Sequence, residues 1–472
     1  MSQTPGQVES NVSERSPLRE MLSIAAPTVA TMTSYTVMQF VDKLIVSRIS
    51  EEPIYVGAQG DGGIAAFVPI ALAMGTIQIV NTYVSQNLGA GRAERAPAYA
   101  WNGIWLALVW AAVLVPYGAV MPAIIRAMGR SDAQVHLACS YGQILVYGAA
   151  LTMCTRAIAQ FFYGMHKPNV VMIAGVISNV INLVLTYGLV FGAWGLPALG
   201  IAGSAIGTVI ATGVELSIPM CLFLGRTYNE LYGTRAGWKP SLQHMKDIFR
   251  LGWPGGAMFG NEMICWTYFM VYLVGRFGEL HSSAAWIAHQ WMTLSFMPAV
   301  GLSVATTAVV GKCMGMRRPD LARQRAYLGL RMALAYMGTC AVLFVLFRHQ
   351  MIELFIKEGT IAAEAEIVVR LGSRMLIATA AFQLFDATAM TLSGALRGAG
   401  DTIVPGVVTV MLAWTVIVLG GHTIVAVAPG LESIGPWIAA AGYIASLCVF
   451  FLWRFLSGKW ARIRLLQEIP AR

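Results

Sequence analysis

Apolar residues run along this chain in blocks of about 20 to 30, each broken by a short charged or Gly/Pro-rich stretch. A run of about 20 apolar residues is long enough to cross the hydrocarbon core of a bilayer as an α-helix. The blocks predict helices over 20–48, 62–89, 96–127, 132–163, 169–192, 199–225, 244–276, 281–314, 320–348, 364–398, 402–428 and 434–457. Several approach thirty residues, about 45 Å at about 1.5 Å per residue, so they should tilt or protrude. Residues 1–17 are polar, contain Pro5 and Pro17, and read as a disordered tail. The apolar run after them is too long for the core of a signal peptide and is expected to stay as the first helix.

Composition agrees with that pattern. Of 472 residues, 57% are hydrophobic and 12% charged, about half the charged fraction of a soluble domain. Such a chain is neither a soluble enzyme nor disordered. The seven cysteines lie in apolar stretches without Cys-x-x-Cys spacing, so neither a disulfide framework nor a zinc site is indicated.

The net charge of +9 would suit nucleic acid if the charges formed one patch, but they alternate between loops. Arg15 and Arg19, Arg92 and Arg95, Lys167, the stretch from Arg226 to Arg250, the stretch from Lys312 to Arg325, Arg397, and the cations from Arg454 to Arg472 fall on one side of the predicted membrane. The opposite loops hold only Arg48, Arg126, Arg130, Arg276, Arg348, Lys357 and Arg370, diluted by acids that include Glu51, Glu52 and Asp61. Excess Lys and Arg marks the cytoplasmic side. Both termini are therefore expected in the cytoplasm, with the protein in the cell inner membrane and no nucleic-acid partner.

The two halves resemble each other. Pro27 matches Pro254, LGAGRAERA (88–96) matches MGMRRPDLA (314–322), and FFYGMHKPN (161–169) matches TLSGALRGAGD (391–401), pairing Gly164 with Gly394. Six crossings per half is even, so the halves share one orientation and should be related by a pseudo-twofold along the membrane normal. The expected organisation is a tail over 1–17, a first lobe over 18–226, a basic linker over 227–243, a second lobe over 244–458 and a tail over 459–472.

A charge at the bilayer centre costs roughly 3 kcal/mol, so each deep ionisable residue asks for a reason. These are Asp42, Arg156, Glu215, Glu262, Arg331 and Asp386. Asp386 shares a helical face with Thr379, Gln383, Met390, Ser393 and Arg397, as a cavity wall would; an intrahelical polar network is the alternative. Glu262 is flanked on its face by Met258, Trp266 and Phe269, a setting that suits a lipophilic cation through charge and ring quadrupole, or else an aromatic packing stripe around a neutral acid. Asp42 precedes Lys43, which can snorkel to the outer surface. Ser178, Asn182 and Thr186 with adjacent Asn179, and Ser204, Thr208, Thr212 and Glu215, form polar stripes on the next helices. Carboxylate, amide and hydroxyl oxygens converging there would suit sodium or a proton relay, or would serve as interhelical hydrogen bonds. Arg156 and Glu215 read as a structural pair, and His289 as a packing or hydrogen-bonding histidine with no second metal ligand at helical spacing.

The chain resembles the multidrug and toxic compound extrusion (MATE) antiporters, closest to the NorM-type branch, over about 20–458. The resemblance rests on FVDK (40–43), VSQNLGAGR (84–92), SNVINLVLTYG (178–188), LGIAGSAIGTVI (199–210), LGWPGGAMFGNE (251–262), AHQ (288–290) and FDATAMTLSGALRGAGDT (385–402). It implies an all-α integral membrane protein of twelve transmembrane helices in two pseudo-symmetric six-helix lobes. It further implies a monomer that exports small lipophilic organic cations in exchange for sodium or protons by a rocker-switch motion, without a cofactor.

By the same resemblance Asp42 is the first-lobe coupling acid, Glu262 and Asp386 are the second-lobe acids, and Asn182, Thr208 and Ser204 lie near the first-lobe cation site. Transient sodium is expected at Asp42, Asn182 and Thr208 or at Glu262 and Asp386. Two positions depart from the family pattern, Ser178 in place of an amide and Lys43 in place of a small residue, and both leave proton coupling open. A lipid-linked oligosaccharide flippase of the same superfamily is the nearest alternative, although its cavity would be basic where these faces are acidic. A membrane-embedded enzyme would need His-Glu-x-x-His, Gly-x-Ser-x-Gly or a metal cluster, and a nucleotide-driven pump a Gly-x4-Gly-Lys-Ser/Thr loop; the sequence has none of these.

Overall fold

Twelve long helices follow one another through the described residues of the computed structural model, which are 16–50, 54–356 and 362–466. They are α1 (Pro17–Val46), α2 (Ile54–Gly89), α3 (Ala96–Ala127), α4 (Asp132–Tyr147 and Ala149–Gly164), α5 (Pro168–Phe191), α6 (Ile201–Leu224), α7 (Leu242–Tyr268), α8 (Glu279–Gly315), α9 (Pro319–Leu346), α10 (Ala362–Ala399), α11 (Ile403–Val427) and α12 (Ile434–Leu456). No strand occurs among the described residues. Nine of these helices are long and apolar enough to cross a membrane, and α4, bent by 46° at Gly148, makes a tenth if its two limbs form one span. The remaining two, α1 and α7, are as long but more polar. They are also repeat-equivalents, carrying Pro27 and Pro254, and between them they hold Asp42 and Glu262.

Sequence patterning misplaces several edges. The second helix starts at Ile54, not 62, because Gly and Asp61 are tolerated once the carboxylate is paired: Arg130 Nε lies 2.9 Å and Gln134 Nε2 2.7 Å from Asp61. Asp61 is therefore a buried helical residue and not a loop acid. The first helix begins at Pro17 with Ser16 as its cap, and the rest of the expected tail, 1–15, lies outside the described residues. The linker is partly helical (Arg226–Tyr232) and docks on α3, with Trp101 and Trp105 Nε1 donating to the carbonyls of Thr234 and Trp238. The second tail also packs at its start, where the buried Trp460 ring stacks on Phe455. Two π-helical turns, Phe269–Val274 after α7 and Ala413–Leu419 within α11, carry no signal in a hydropathy pattern.

Apolar side chains gather into one core within α1–α6, one within α7–α12, and a third where α1 meets α8, α9 and α10. Across the halves α2 packs on α7 and α1 on α8, which is one contact repeated by the pseudo-twofold. Gly91 and Arg317, in matching turns, share left-handed backbone at φ 69° and 59°. The repeat register needs one revision. A Cβ on Gly164 would meet the Asn81 carbonyl and one on Gly398 the Thr307 carbonyl, and Asn81 and Thr307 hold equivalent places in α2 and α8. Gly164 thus corresponds to Gly398, one turn beyond Gly394.

All the cross-half hydrogen bonds and ion pairs described here lie toward the end that carries the basic loops. Glu20 on α1 meets Lys312 Nζ at 3.4 Å and Arg325 Nη2 at 3.1 Å. Thr82 and Gln86 on α2 donate to the carbonyls of Arg397 and Gly398, and the Arg397 guanidinium reaches Gln78 Oε1 at 2.9 Å. His166 Nε2 lies 3.2 Å from the Ala308 carbonyl. Arg397 is consequently part of a half-buried seal, not a loop cation. These bonds join the two halves at the basic end. At the other end Val37, Phe40 and Leu44 of α1 and Trp286 of α8 stand exposed.

Arg454, expected as another free loop charge, forms two bonds to Asp401, Nε at 2.7 Å and Nη2 at 3.1 Å, with the Asp401 side chain only 5% exposed. Removing one partner of a buried pair strands the other. Arg454→Ala is expected to cost about 3–5 kcal/mol and to lower the melting temperature of the detergent-solubilised protein by several degrees. An unchanged melting temperature would mean that water reaches Asp401.

Candidate functional site

The polar side chains of the membrane interior collect into two clusters, one in each half. In the first half, Asp42 on α1 interacts with the Thr186 hydroxyl on α5. Thr186 Oγ1 lies 3.5 Å from Asn182 Oδ1, and Asn182 Nδ2 donates to Thr208 Oγ1 on α6 at 3.1 Å. Thr208 in turn bonds the Ser204 carbonyl. The chain reads Asp42, Thr186, Asn182, Thr208, and two oxygens at its ends, Asp42 Oδ1 and Ser204 Oγ, are buried without a hydrogen-bond partner. An orphaned acceptor away from water costs roughly 1–3 kcal/mol, a cost that a proton or a small cation bound there would offset.

Ser178 and Asn179 are used differently. Ser178 Oγ bonds the Ala211 carbonyl at 2.8 Å, and the Asn179 amide bonds Ser34 Oγ on α1. Both tie helices together beside the cluster. Thr186, read from sequence only as part of a stripe, is the residue that links α5 to Asp42. Lys43 is exposed.

In the second half Glu262 on α7 accepts a hydrogen bond from the Tyr443 hydroxyl on α12 at 3.1 Å. Asp386 on α10 lies within electrostatic range of both. Gln383, on the same face as Asp386, is buried; its Nε2 donates to Ser295 Oγ at 2.8 Å and its Oε1 is unpartnered. Met258, Trp266 and Met390 are half-buried. Trp266 packs edge-on against Phe269 at 5.3 Å and lies 6.0 Å from the His289 ring. Asn261, beside Glu262, is held by Trp414 Nε1 from the π-helical turn of α11. Tyr443 and Trp414 escape sequence reading because a tyrosine or tryptophan in an apolar helix is ordinary.

Arg156 and Glu215 do not meet directly among the described residues. Tyr35 on α1 stands between them, its hydroxyl donating to Glu215 Oε1 and its ring 4.9 Å from the Arg156 guanidinium carbon. Arg331, the other deep base, is exposed on α9. No group of three or more His, Cys, Asp or Glu side chains suited to a metal ion occurs among the described residues.

The geometry can be set beside known proteins. The MatE family model matches residues 27–188 and again 259–420, once in each half. A probable multidrug resistance protein NorM of Burkholderia pseudomallei is 28% identical over 439 residues, covering 92% of this chain and 91% of its own length. Another of the same description from Pseudomonas syringae pv. tomato is 28% identical over 450 residues, covering 95% and 96%. Among solved structures, a MOP superfamily transporter from Pyrococcus furiosus superposes with a TM-score of 0.85 at 21% identity, covering 98% of this chain and all of that one. A structure described as the outward-facing conformation of a multidrug resistance MATE family transporter gives 0.83 at 19% identity, with the same coverage.

Proposed function

The chain belongs to the MatE family, and we propose that it exports organic cations from the cell in exchange for an inward-moving proton or sodium ion. The basic end is then cytoplasmic by the distribution of Lys and Arg, both termini lie on that side of the inner membrane, and the conformation is the outward-open one. The observation that carries the reading is the acid pair Glu262 and Asp386, half-buried beside Tyr443, Trp266 and two methionines. Carboxylates with polarisable and aromatic neighbours suit a lipophilic cation.

Coupling follows from competition. A proton or metal ion on the acids removes the charge that holds the exported cation, so the two cargoes exclude each other. Alternating access then needs only the closed basic end to open as the other end closes. One monovalent ion entering down about 100 mV and a tenfold gradient releases roughly 3.7 kcal/mol. If a monovalent cation leaves for each ion that enters, the exchange is electroneutral and roughly 1.4 kcal/mol of chemical gradient remains. The Asp42 chain, with its orphaned oxygens, offers the first half's place for the entering ion.

Everted vesicles loaded with a fluorescent organic cation separate the ions. A pH jump that drives dye movement without sodium identifies protons, a sodium jump at fixed pH identifies sodium, and a response to neither defeats the antiport reading.

A further inference from the structure

The second half carries a groove at the end away from the basic loops, and the exchange makes no use of it. Its volume is about 950 Å³, and it lies between the start of α10 and the short helix Arg348–Glu353 that follows α9. That short helix is pinned on both sides. Ile352 is fully buried against Gly372 of α10, where an added Cβ would meet its Cδ1 at 2.8 Å, and Trp291 Nε1 on α8 donates to the Met351 carbonyl at 2.9 Å.

Arg348, Arg370 and Arg374 line the groove. Arg348 is oriented by a bond from Nη1 to the Val345 carbonyl at 2.6 Å. Arg370 and Arg374 are exposed and make no hydrogen bond or ion pair among the described residues. The same end of the first half answers its arginines, with Arg126 at 3.6 Å from Asp132 and Arg130 at 2.9 Å from Asp61. Glu353 and Glu366 also line the groove, so three guanidinium groups face two carboxylates, an excess of one positive charge. His349, whose Nδ1 lies 3.1 Å from Ser373 Oγ, adds no charge in its neutral form.

Helical spacing turns this groove away from the acid site. Arg370, Arg374, Ile377, Ala381 and Leu384 share one exposed face of α10, roughly opposite the face of Thr379, Gln383 and Asp386. Arg374 stands about 35 Å along α10 from Arg397 in the basic-end seal, at about 1.5 Å per residue. The hydrocarbon core is about 30 Å thick, so the arginines fall at headgroup level. One and three turns deeper on the same face, Ile377 and Leu384 are 45% and 47% exposed, as lipid-facing side chains are.

We propose that this groove binds the phosphodiester headgroup of an anionic phospholipid such as phosphatidylglycerol, with an acyl chain along Ile377, Ala381 and Leu384. The guanidinium fork matches two phosphate oxygens in parallel bonds. One negative charge balances the excess of one positive charge, and the glycerol hydroxyls donate to Glu353 and Glu366. Free phosphate would leave the apolar lining, Ile356, Val369 and Ile377, unfilled. A choline headgroup has no hydroxyl to donate, and its own cation leaves the excess charge unbalanced.

Native mass spectrometry of the purified full-length protein, titrated with phosphatidylglycerol, tests the site, with phosphatidylcholine and millimolar inorganic phosphate as competitors. Wild type is expected to hold one phosphatidylglycerol that neither competitor displaces. The double variant Arg370→Gln/Arg374→Gln should bind it at least about tenfold more weakly, while Arg126→Gln, at the same end of the other half, leaves binding unchanged. Because Arg370 and Arg374 have no partner to lose, the double variant should melt with wild type in the absence of lipid. A lowered melting temperature there would show that the arginines serve the fold, and it overturns the site. So do wild-type protein that binds no phosphatidylglycerol, displacement by phosphatidylcholine or phosphate, a double variant that binds as wild type, and an equal loss in Arg126→Gln.

Discussion

Neutralising either second-half acid should abolish energised efflux. Glu262→Gln and Asp386→Asn keep shape and most hydrogen bonds, so each removes a charge and little else. Tyr443 donates to Glu262 Oε1 and can donate equally to the amide oxygen of glutamine. With one acid gone, the remaining carboxylate faces the exported cation and the entering ion alone. The site can no longer be emptied of one by loading the other. The expected result is at least a tenfold fall in dye efflux from everted vesicles for each single variant, equivalent to about 1.4 kcal/mol of lost discrimination. Protein amount and thermal stability should stay near wild type, since an uncharged amide is easier to bury than a carboxylate. Efflux that survives in both single variants would move the exchange site to the Asp42 cluster. Asp42→Asn is the control for that outcome, because Asp42 Oδ1 is an orphaned carboxylate oxygen at the end of the first-half chain.

The helices were legible because hydropathy reports length and burial, and the acids because charge is conspicuous against an apolar background. What escaped had no such contrast. Tyr35 and Tyr443 are ordinary in membrane helices, and only their partners, Glu215 and Glu262, make them part of a site. Arg397 and Arg454 lie at helix ends, where charge patterning alone predicts loop cations, yet folding brings Gln78 and Asp401 to them from distant segments. The Gly164–Gly394 match failed by one turn for a related reason. Gly394 and Gly398 occupy the same face one turn apart, so similarity alone does not choose between them, whereas contact with Thr307 does. Ser178 and Asn179 followed the expected stripe but were taken up by neighbouring helices. Spacing gives the face of a helix, and the neighbour decides what that face is used for.

The closed basic end depends on two glycines, and filling either should hold it open. At Gly89 an added Cβ would lie 1.9 Å from the Lys312 carbonyl oxygen, and at Gly315 2.0 Å from that of Gln86. Backbone cannot turn aside as a side chain can, so α2 and α8 must separate by more than an ångström. That displacement strains the bonds placed around the contact: Glu20 to Lys312 and Arg325, Gln86 to Gly398, and His166 to Ala308. Overpacking typically costs about 1–3 kcal/mol. On the alternating-access reading proposed above, the strain falls on one end of the transport cycle, because the contact would be lost when the basic end opens. Gly89→Ala and Gly315→Ala are therefore expected to shift the population toward the basic-end-open state by about tenfold or more. Cys313, 3% exposed within the seal, should react at least about tenfold faster with N-ethylmaleimide, mapped by mass spectrometry. Cys221, already exposed, should react at an unchanged rate, and efflux should fall in parallel with the gain at Cys313. Gly60→Ala on the same helix, where a Cβ meets open space, should change none of these. If Cys313 stays protected in both seal variants while efflux holds, the α2–α8 glycine contact does not govern which end of the protein is open.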